Sequence, residues 1–370
     1  GDSDMSVIKV NTVPHLDPDP NHPYTSGAWT PVFDEYDADD LEVIGEIPKD
    51  IDGIYVRNSE NPAFGSIGLY HPFDGDGMIF GVELDGSTNT ARAACKMVRT
   101  ARLAKQERAG VEGGVAVRGA WTQAKSPLAN IFNFPTNPAN TSPMFHAGKL
   151  LVLCEGGAPI EVDPLSLDTK GECVFGPNLP MGFSAHAKKD PKDGKLYTWG
   201  LCKPPAIGFQ VARLSANGTV EKVISLPLDT PEFTLIHDCA MSDKYLAFIV
   251  PPWKLRLDRM GGALAGSESF GHSFDWRDDL GAYMVIIAKA SMEIVFQGTI
   301  PSMSTYHFAG AYEETAAVPA AVPLVTPAQK LLATFQRMRS ELAPLIAQLS
   351  ADGHAPREPE WLQLWDAGYA

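Results

Sequence analysis

The sequence predicts an all-β fold over most of its length, followed by a helical segment. Three observations carry that expectation. Short runs of alternating apolar and polar residues are punctuated by turn dipeptides (Asp52-Gly53, Asp85-Gly86, Asp193-Gly194, Asn217-Gly218), the spacing of an antiparallel meander. Gln210–Leu214 and Val220–Ser225 flank Asn217-Gly218 as two halves of a hairpin, for which a type I′ turn is expected. Near Thr315 the texture changes to Ala, Pro and Val, and leucines then recur at helical spacing.

Taken in order, residues 1–40 are rich in Pro, Asp, Asn and Tyr without periodicity, and read as an extended arm lying over another part of the chain. Residues 41–314 hold the β-rich domain. Its further strands are expected in Gly148–Cys154 with Pro159–Val162, in Gly194–Gly200, and in Tyr245–Val250, Ala282–Ala288 and Glu293–Gly298. No fixed-period repeat is present, which weakens a WD40 or kelch reading but leaves room for a propeller of divergent blades. Residues 315–370 read as a linker and helical tail. Thr326 would cap a helix over Pro327–Gln348 whose apolar face carries Leu331, Leu332, Phe335, Met338, Leu342 and Leu345, and Pro344 would kink or end it.

Composition narrows the function classes. The chain has 370 residues, 44% of them hydrophobic, and a net charge of −15, whose field disfavours non-specific binding to nucleic acid. No run approaches the 18 or so consecutive apolar residues of a membrane-spanning helix. The first residues lack the basic and apolar regions of a secretory signal. Cys95, Cys154, Cys173, Cys202 and Cys239 are odd in number and widely spaced, which fits reduced thiols and a cytoplasmic location.

Nine histidines are present. His15 and His22 in the arm, His71 and His146 beside turns, and His272 in a charged loop read as surface or structural residues. His186, His237 and His307 each end an apolar run, 51 and 70 residues apart, as if each came from a separate structural unit. Neutral imidazoles meeting at one point would hold Fe, Zn or Cu. On spacing alone, hydrogen-bonded core histidines remain the competing reading. No P-loop, GxGxxG or GxSxG motif occurs. Asp74-Gly75-Asp76-Gly77 is too short for a calcium loop and reads as a tight turn.

Several stretches resemble the carotenoid cleavage oxygenases, a family with stilbene-cleaving relatives. Gly53–Pro62 (GIYVRNSENP) and Tyr70–Met78 (YHPFDGDGM) are similar to its N-terminal motifs, and Asn140-Thr141, His146–Leu151 and Glu155–Gly157 to the next block. Phe183–His186, Ile236–Asp238 and Tyr306–Glu314 resemble the segments around its first three iron ligands, with Gly310 where the family usually has Asn. The likeness covers about residues 25–314.

The resemblance implies a seven-bladed β-propeller with Fe(II) on its axis, and assigns His186, His237 and His307 as three of four histidine ligands. It implies that Glu155 accepts a ligand's ring N–H and fixes its tautomer. No catalytic residue beyond the metal centre is assigned. The departure lies after residue 314: the only later histidine, His354, has no flanking strand, so the propeller is expected to be incomplete at its C-terminus. The helix Pro327–Gln348 is then expected to pack against the gap, because open strand edges are costly to expose.

The reaction so implied is O2-dependent cleavage of a conjugated C=C bond in a carotenoid or apocarotenoid, giving two carbonyl products. A stilbenoid is the alternative substrate, although the Tyr and Lys that grip a phenol in those relatives are not evident. A catalytically inactive carotenoid-binding protein lacking the fourth ligand is the other alternative. Phe73, Phe132, Phe134, Phe183, Trp253 and Phe308 are candidates to line a substrate tunnel, or equally to fill the core. Ser126–Phe134 (SPLANIFNF) is apolar enough to touch a bilayer surface and collect a lipophilic substrate.

Overall fold

The computed structural model describes residues 7–15, 17–64, 71–113, 118–124, 127–131, 136–203, 208–226 and 235–314. The chain divides into two compact units, Gly1–Glu313 and Glu314–Ala370. The expected linker and helix of residues 315–370 lie outside the described residues, as do Phe132, Phe134 and His354.

The first unit is mostly β. Its first sheet contains β1 (Val7–Thr12), β2 (Asp34–Ala38), β3 (Asp52–Glu60), β4 (Gly77–Asp85) and β5 (Thr90–Met97) in the order β1-β2-β5-β4-β3. The arm expected over residues 1–40 thus supplies two strands of this sheet: β1 pairs with β2, and β2 pairs with β5 through Tyr36↔Cys95. The backbone donors and acceptors of an extended arm need partners, and the open edge of β5 provides them.

Three four-stranded sheets follow. The second runs β6 (Ser142–His146), β7 (Lys149–Leu153), β8 (Ile160–Val162), β9 (Thr169–Glu172). The third runs β10 (Lys188–Lys189), β11 (Leu196–Leu201), β12 (Phe209–Leu214), β13 (Val220–Ser225). The fourth takes β14 (Ala240–Met241), β15 (Tyr245–Val250), β18 (Ala282–Ala288) and β19 (Glu293–Ile300), with a ribbon of β16 (Trp253–Leu255) and β17 (Phe274–Trp276) inserted between β15 and β18. Pairing within all four sheets is antiparallel, as the meander predicts. These four sheets do not close into a ring among the described residues, so a seven-bladed count is not reached there.

Among the described residues two α-helices interrupt the strands: α1 (Ala101–Gly113), broken at Gly110, and α2 (Met260–Ala265). The α1 helix escapes the turn-and-alternation pattern because its best-anchored residue is charged. Arg102 is buried and donates to Asp76 Oδ1 (3.3 Å) and to the carbonyl of Asp74 (2.7 Å). Asp74 in turn accepts the N–H groups of Ala120, Trp121 and Thr122 at 2.6–2.8 Å, so the acidic turn organises two neighbouring segments.

The hairpin at Asn217-Gly218 forms with the expected strands but a different turn. Gly218 has φ +86°, while Asn217 is not among the positive-φ residues, and Gly218 N–H donates to the carbonyl of Ser215 at 2.9 Å. A type I′ turn needs positive φ at both central residues. A type I turn followed by a left-handed glycine accommodates the register shift seen at Leu214.

Successive sheets pack face to face. Ile79, Val98, Leu150, Val152 and Val162 fill the core between the first and second. Leu151, Leu153, Phe183, Leu196, Ala212 and Leu214 lie between the second and third. Trp199, Val211, Leu246, Phe248, Val285 and Ile287 lie between the third and fourth, with Trp199 edge-on to Phe248 at 5.2 Å. Because β7 and β11 are covered on both faces, their residues are buried almost without a break, whereas β15, apolar throughout, alternates between buried and more exposed positions.

Candidate metal centre

His186 lies two residues before β10, His237 three residues before β14, and His307 beyond the end of β19. Each therefore sits where the chain enters or leaves an edge of the third or fourth sheet. The structure brings them together: one ring nitrogen from each lies within 4.8 Å of the others. Ring centroids are 4.4 Å apart for His186–His237, 4.7 Å for His186–His307 and 5.2 Å for His237–His307.

Local packing explains how the first segment reaches this point. A Cβ at Gly182 would fall 2.5 Å from the carbonyl oxygen of Glu155, and one at Gly200 would fall 2.2 Å from the carbonyl oxygen of Gly182. Only glycine lets these three backbones stack so closely, which brings the His186 segment against the strand end that carries Glu155. Ser184 Oγ then accepts the His186 N–H at 3.0 Å, and Trp199 Nε1 donates to the carbonyl of Ile236 at 2.9 Å, anchoring the residue before His237.

Asp238 joins the three histidine segments. Its carboxylate is 4% exposed. Oδ1 meets Lys188 Nζ at 2.6 Å and accepts the Cys239 N–H at 2.7 Å, while Oδ2 accepts the Phe308 N–H at 2.9 Å. One side chain thus ties residues adjacent or nearly adjacent to His186, His237 and His307. Downstream, Glu313 Oε1 accepts from Ser242 Oγ (2.6 Å) and from Lys244 N–H (2.8 Å), fixing the segment after His307 to the fourth sheet.

The donor set fits a divalent metal. Glu155 Oε1 lies 2.7 Å from His237 Nδ1, off the line of a hydrogen bond, and a carboxylate so close favours the N–H tautomer at that nitrogen. The lone pair of Nε2 then faces inward, 2.9 Å from His186 Nε2. Two imidazole nitrogens at right angles on one cation, with bonds of about 2.1 Å, would stand about 3.0 Å apart. Burial, and next the neighbouring His237 ring, push His186 down to about 4, so its ring is neutral and able to ligate at physiological pH.

Other predicted residues fall elsewhere. His15 stacks on Phe33 at 3.8 Å, His71 accepts the Phe73 N–H at 3.2 Å, and His146 is fully buried. Phe183 is a core residue, 3% exposed. Trp253 packs on Phe274 in the inserted ribbon, with centroids 5.3 Å apart. Phe308 is half-buried next to His307. Phe73 is exposed and approaches Tyr306 at 6.3 Å, and Tyr306 reaches the His237 ring at 4.9 Å. Tyr306 and Asp238 are neighbours the sequence reading did not assign. Each adjoins a predicted histidine, which is the only signal the sequence carries for them.

Antiparallel sheets packed in succession, with three histidines and a glutamate converging at their edges, define a β-protein with a histidine cluster able to hold a metal. The model of the retinal pigment epithelial membrane protein family matches residues 29–355. The chain belongs to this family, which includes the carotenoid cleavage oxygenases.

The chain is 30% identical over 309 residues to carotenoid 9,10(9′,10′)-cleavage dioxygenase 1 of Arabidopsis thaliana, covering 79% of this chain and 55% of that protein. It is 29% identical over 307 residues to resveratrol cleavage oxygenase 1 of Chaetomium globosum, covering 80% and 48%. A variant of Synechocystis apocarotenoid oxygenase superimposes with a TM-score of 0.66 at 27% identity, over 76% of this chain and 59% of that one. The fold is therefore of that propeller type. The chain spans about half the length of the curated relatives it matches.

Proposed function

We propose that this chain carries the iron-binding part of a non-haem Fe(II) dioxygenase that cleaves a conjugated C=C bond of a carotenoid or apocarotenoid. One alkene bond and one O2 give two carbonyl groups, with both oxygen atoms in the products and no external reductant. The observation that carries this reading is the convergence of His186, His237 and His307 with Glu155 on the outer nitrogen of His237.

His186, His237 and His307 would hold the metal as neutral ligands, and the family resemblance implies a fourth histidine. Bound there, Fe(II) supplies the one-electron chemistry that lets dioxygen react with a closed-shell alkene. Glu155 holds the His237 tautomer, and Asp238 holds the three segments in register. Phe73 and Tyr306 present aromatic faces beside the cluster, suited to a flat polyene.

A stilbenoid substrate is the second reading. It is supported by the similarity to a resveratrol cleavage oxygenase and by the phenol of Tyr306 next to His237. A binding protein without turnover is the third, since three histidines, not four, meet among the described residues.

Incubating the iron-loaded protein with an apocarotenal and with resveratrol, under ¹⁸O2 and under argon, separates the three. Labelled carbonyl products from the apocarotenal are expected under oxygen only. Products from resveratrol alone would transfer the assignment to stilbenoids. Binding-induced spectral shifts with no product in either case would leave the binding-protein reading.

A further inference from the structure

Beside Glu155 lies a partly open recess of about 160 Å³. Its walls are Trp199, Leu201, Phe209, Leu235 and Phe274, with Glu155 at one end. Trp199 offers no donor to it, because its Nε1–H is spent on the carbonyl of Ile236 at 2.9 Å. Glu155 is the one ionisable side chain in the lining. A water needs two to four polar partners, so the apolar part of such a space does not hold one. Packing cannot close it from Gly200, whose Cβ would strike the Gly182 carbonyl instead of entering the cavity.

We infer that this cavity is a binding site for a small apolar gas molecule, which is dioxygen if the oxygenase reading above holds. Its volume and apolar walls are close to those of an engineered enclosed cavity of roughly 150 Å³ lined by Leu, Ile and Phe, which takes up benzene or xenon, although here the recess is partly open and Glu155 stands at one end. The place matters as much as the size. Glu155 both bounds the cavity and touches His237 Nδ1 at 2.7 Å, so a molecule held here is one side chain from the histidine cluster. An apolar store at that position would raise the local concentration of an O2 co-substrate beside the cluster.

Xenon reads the site without metal or turnover. ¹²⁹Xe NMR of the metal-free full chain is expected to show saturable binding. Leu235→Trp, at the half-buried rim, and Leu201→Phe, in the wall, are expected to abolish it while melting as cooperatively as the parent. In iron-loaded protein the same variants should raise the KM for O2 several-fold and leave kcat at saturating O2 unchanged. Absence of saturable xenon binding in the parent, or an undiminished response in either folded variant, overturns the site. Xenon binding in a protein that shows no O2-dependent cleavage supports the gas site and overturns the assignment of dioxygen to it.

Discussion

Asp238 Oδ2 accepts the backbone N–H of Phe308 at 2.9 Å, across 70 residues of chain, and the same carboxylate holds Lys188 through its other oxygen at 2.6 Å. The relationship explains how three histidines carried by separate strand edges keep one geometry. Backbone N–H groups next to His237 and His307, and the ammonium next to the His186 segment, all converge on a single buried anion. Such charge-assisted hydrogen bonds are shorter and stronger than neutral ones.

Asp238→Ala is therefore expected to weaken metal binding about 10- to 100-fold, the range found when outer partners of metal ligands are removed. Asp238→Asn keeps one acceptor oxygen and should fall between the parent and the alanine variant. Competition titration with a chelator measures both. An unchanged affinity in a folded Asp238→Ala variant would show that the clasp does not organise the site.

The metal-free protein should lose stability on mild acidification. An imidazole in the unfolded chain titrates near 6.5, whereas burial pushes His186 down to about 4 in the folded protein. Between those values the unfolded state binds the extra proton, so stability falls as pH is lowered from 6.5 towards 4 and is flat with respect to this group above 6.5. Urea midpoints of chelator-treated protein across that interval check the sign. The slope should be shallower in His186→Gln, and an equal slope would assign the acid sensitivity elsewhere.

The cysteines are expected to be unreactive in the native protein. Burial pushes Cys95 and Cys154 up to about 11, and Cys239, fully enclosed, is pushed up further. The thiolate is the nucleophile. A disulfide reagent at pH 8 should therefore label none of these three quickly, and should label all five cysteines after unfolding. Rapid labelling of Cys239 in the folded chain would contradict its packing between the third and fourth sheets.

Contact with a bilayer is testable at the turn Pro127–Asn130. Leu128 is 79% exposed and Ile131 41%, two apolar side chains with little to cover them among the described residues. Burying one leucine contributes about 1.5–3 kcal/mol. Leu128→Glu should accordingly lower sedimentation with uncharged phosphatidylcholine vesicles about tenfold or more. Uncharged vesicles suit the assay because the net charge of −15 opposes anionic ones. Equal sedimentation of variant and parent would remove this surface from consideration.

Much of the fold was legible because turn dipeptides and alternation are local signals. Strands β12, β13, β15 and β18 fall within a residue of the positions read from the sequence. The turn at Asn217-Gly218 was misread because one positive φ suffices where a bulge absorbs the extra residue. The extended arm was legible, but its aperiodic composition hides the strand pairing that Glu35 helps to fix: its carboxylate accepts Met97 N–H at 2.7 Å and meets Arg99 at 2.6 Å. Helix α1 was missed because Arg102, a charged residue, anchors its inner side.

At the site, the three histidines and Glu155 stood out through family motifs, since nothing in their spacing requires convergence. Asp238 sat inside one of those motifs without a visible role. Its partners, Lys188 and Phe308, lie 50 and 70 residues away and become neighbours only when the third and fourth sheets pack.

The central claim is that His186, His237 and His307 hold one metal ion together. Metal analysis of the purified protein, against a variant with all three changed to alanine, tests it most directly. Close to one iron per chain in the parent, lost in a variant that still folds, is the predicted result. Equal metal content in parent and variant, whether high or negligible, would contradict the account.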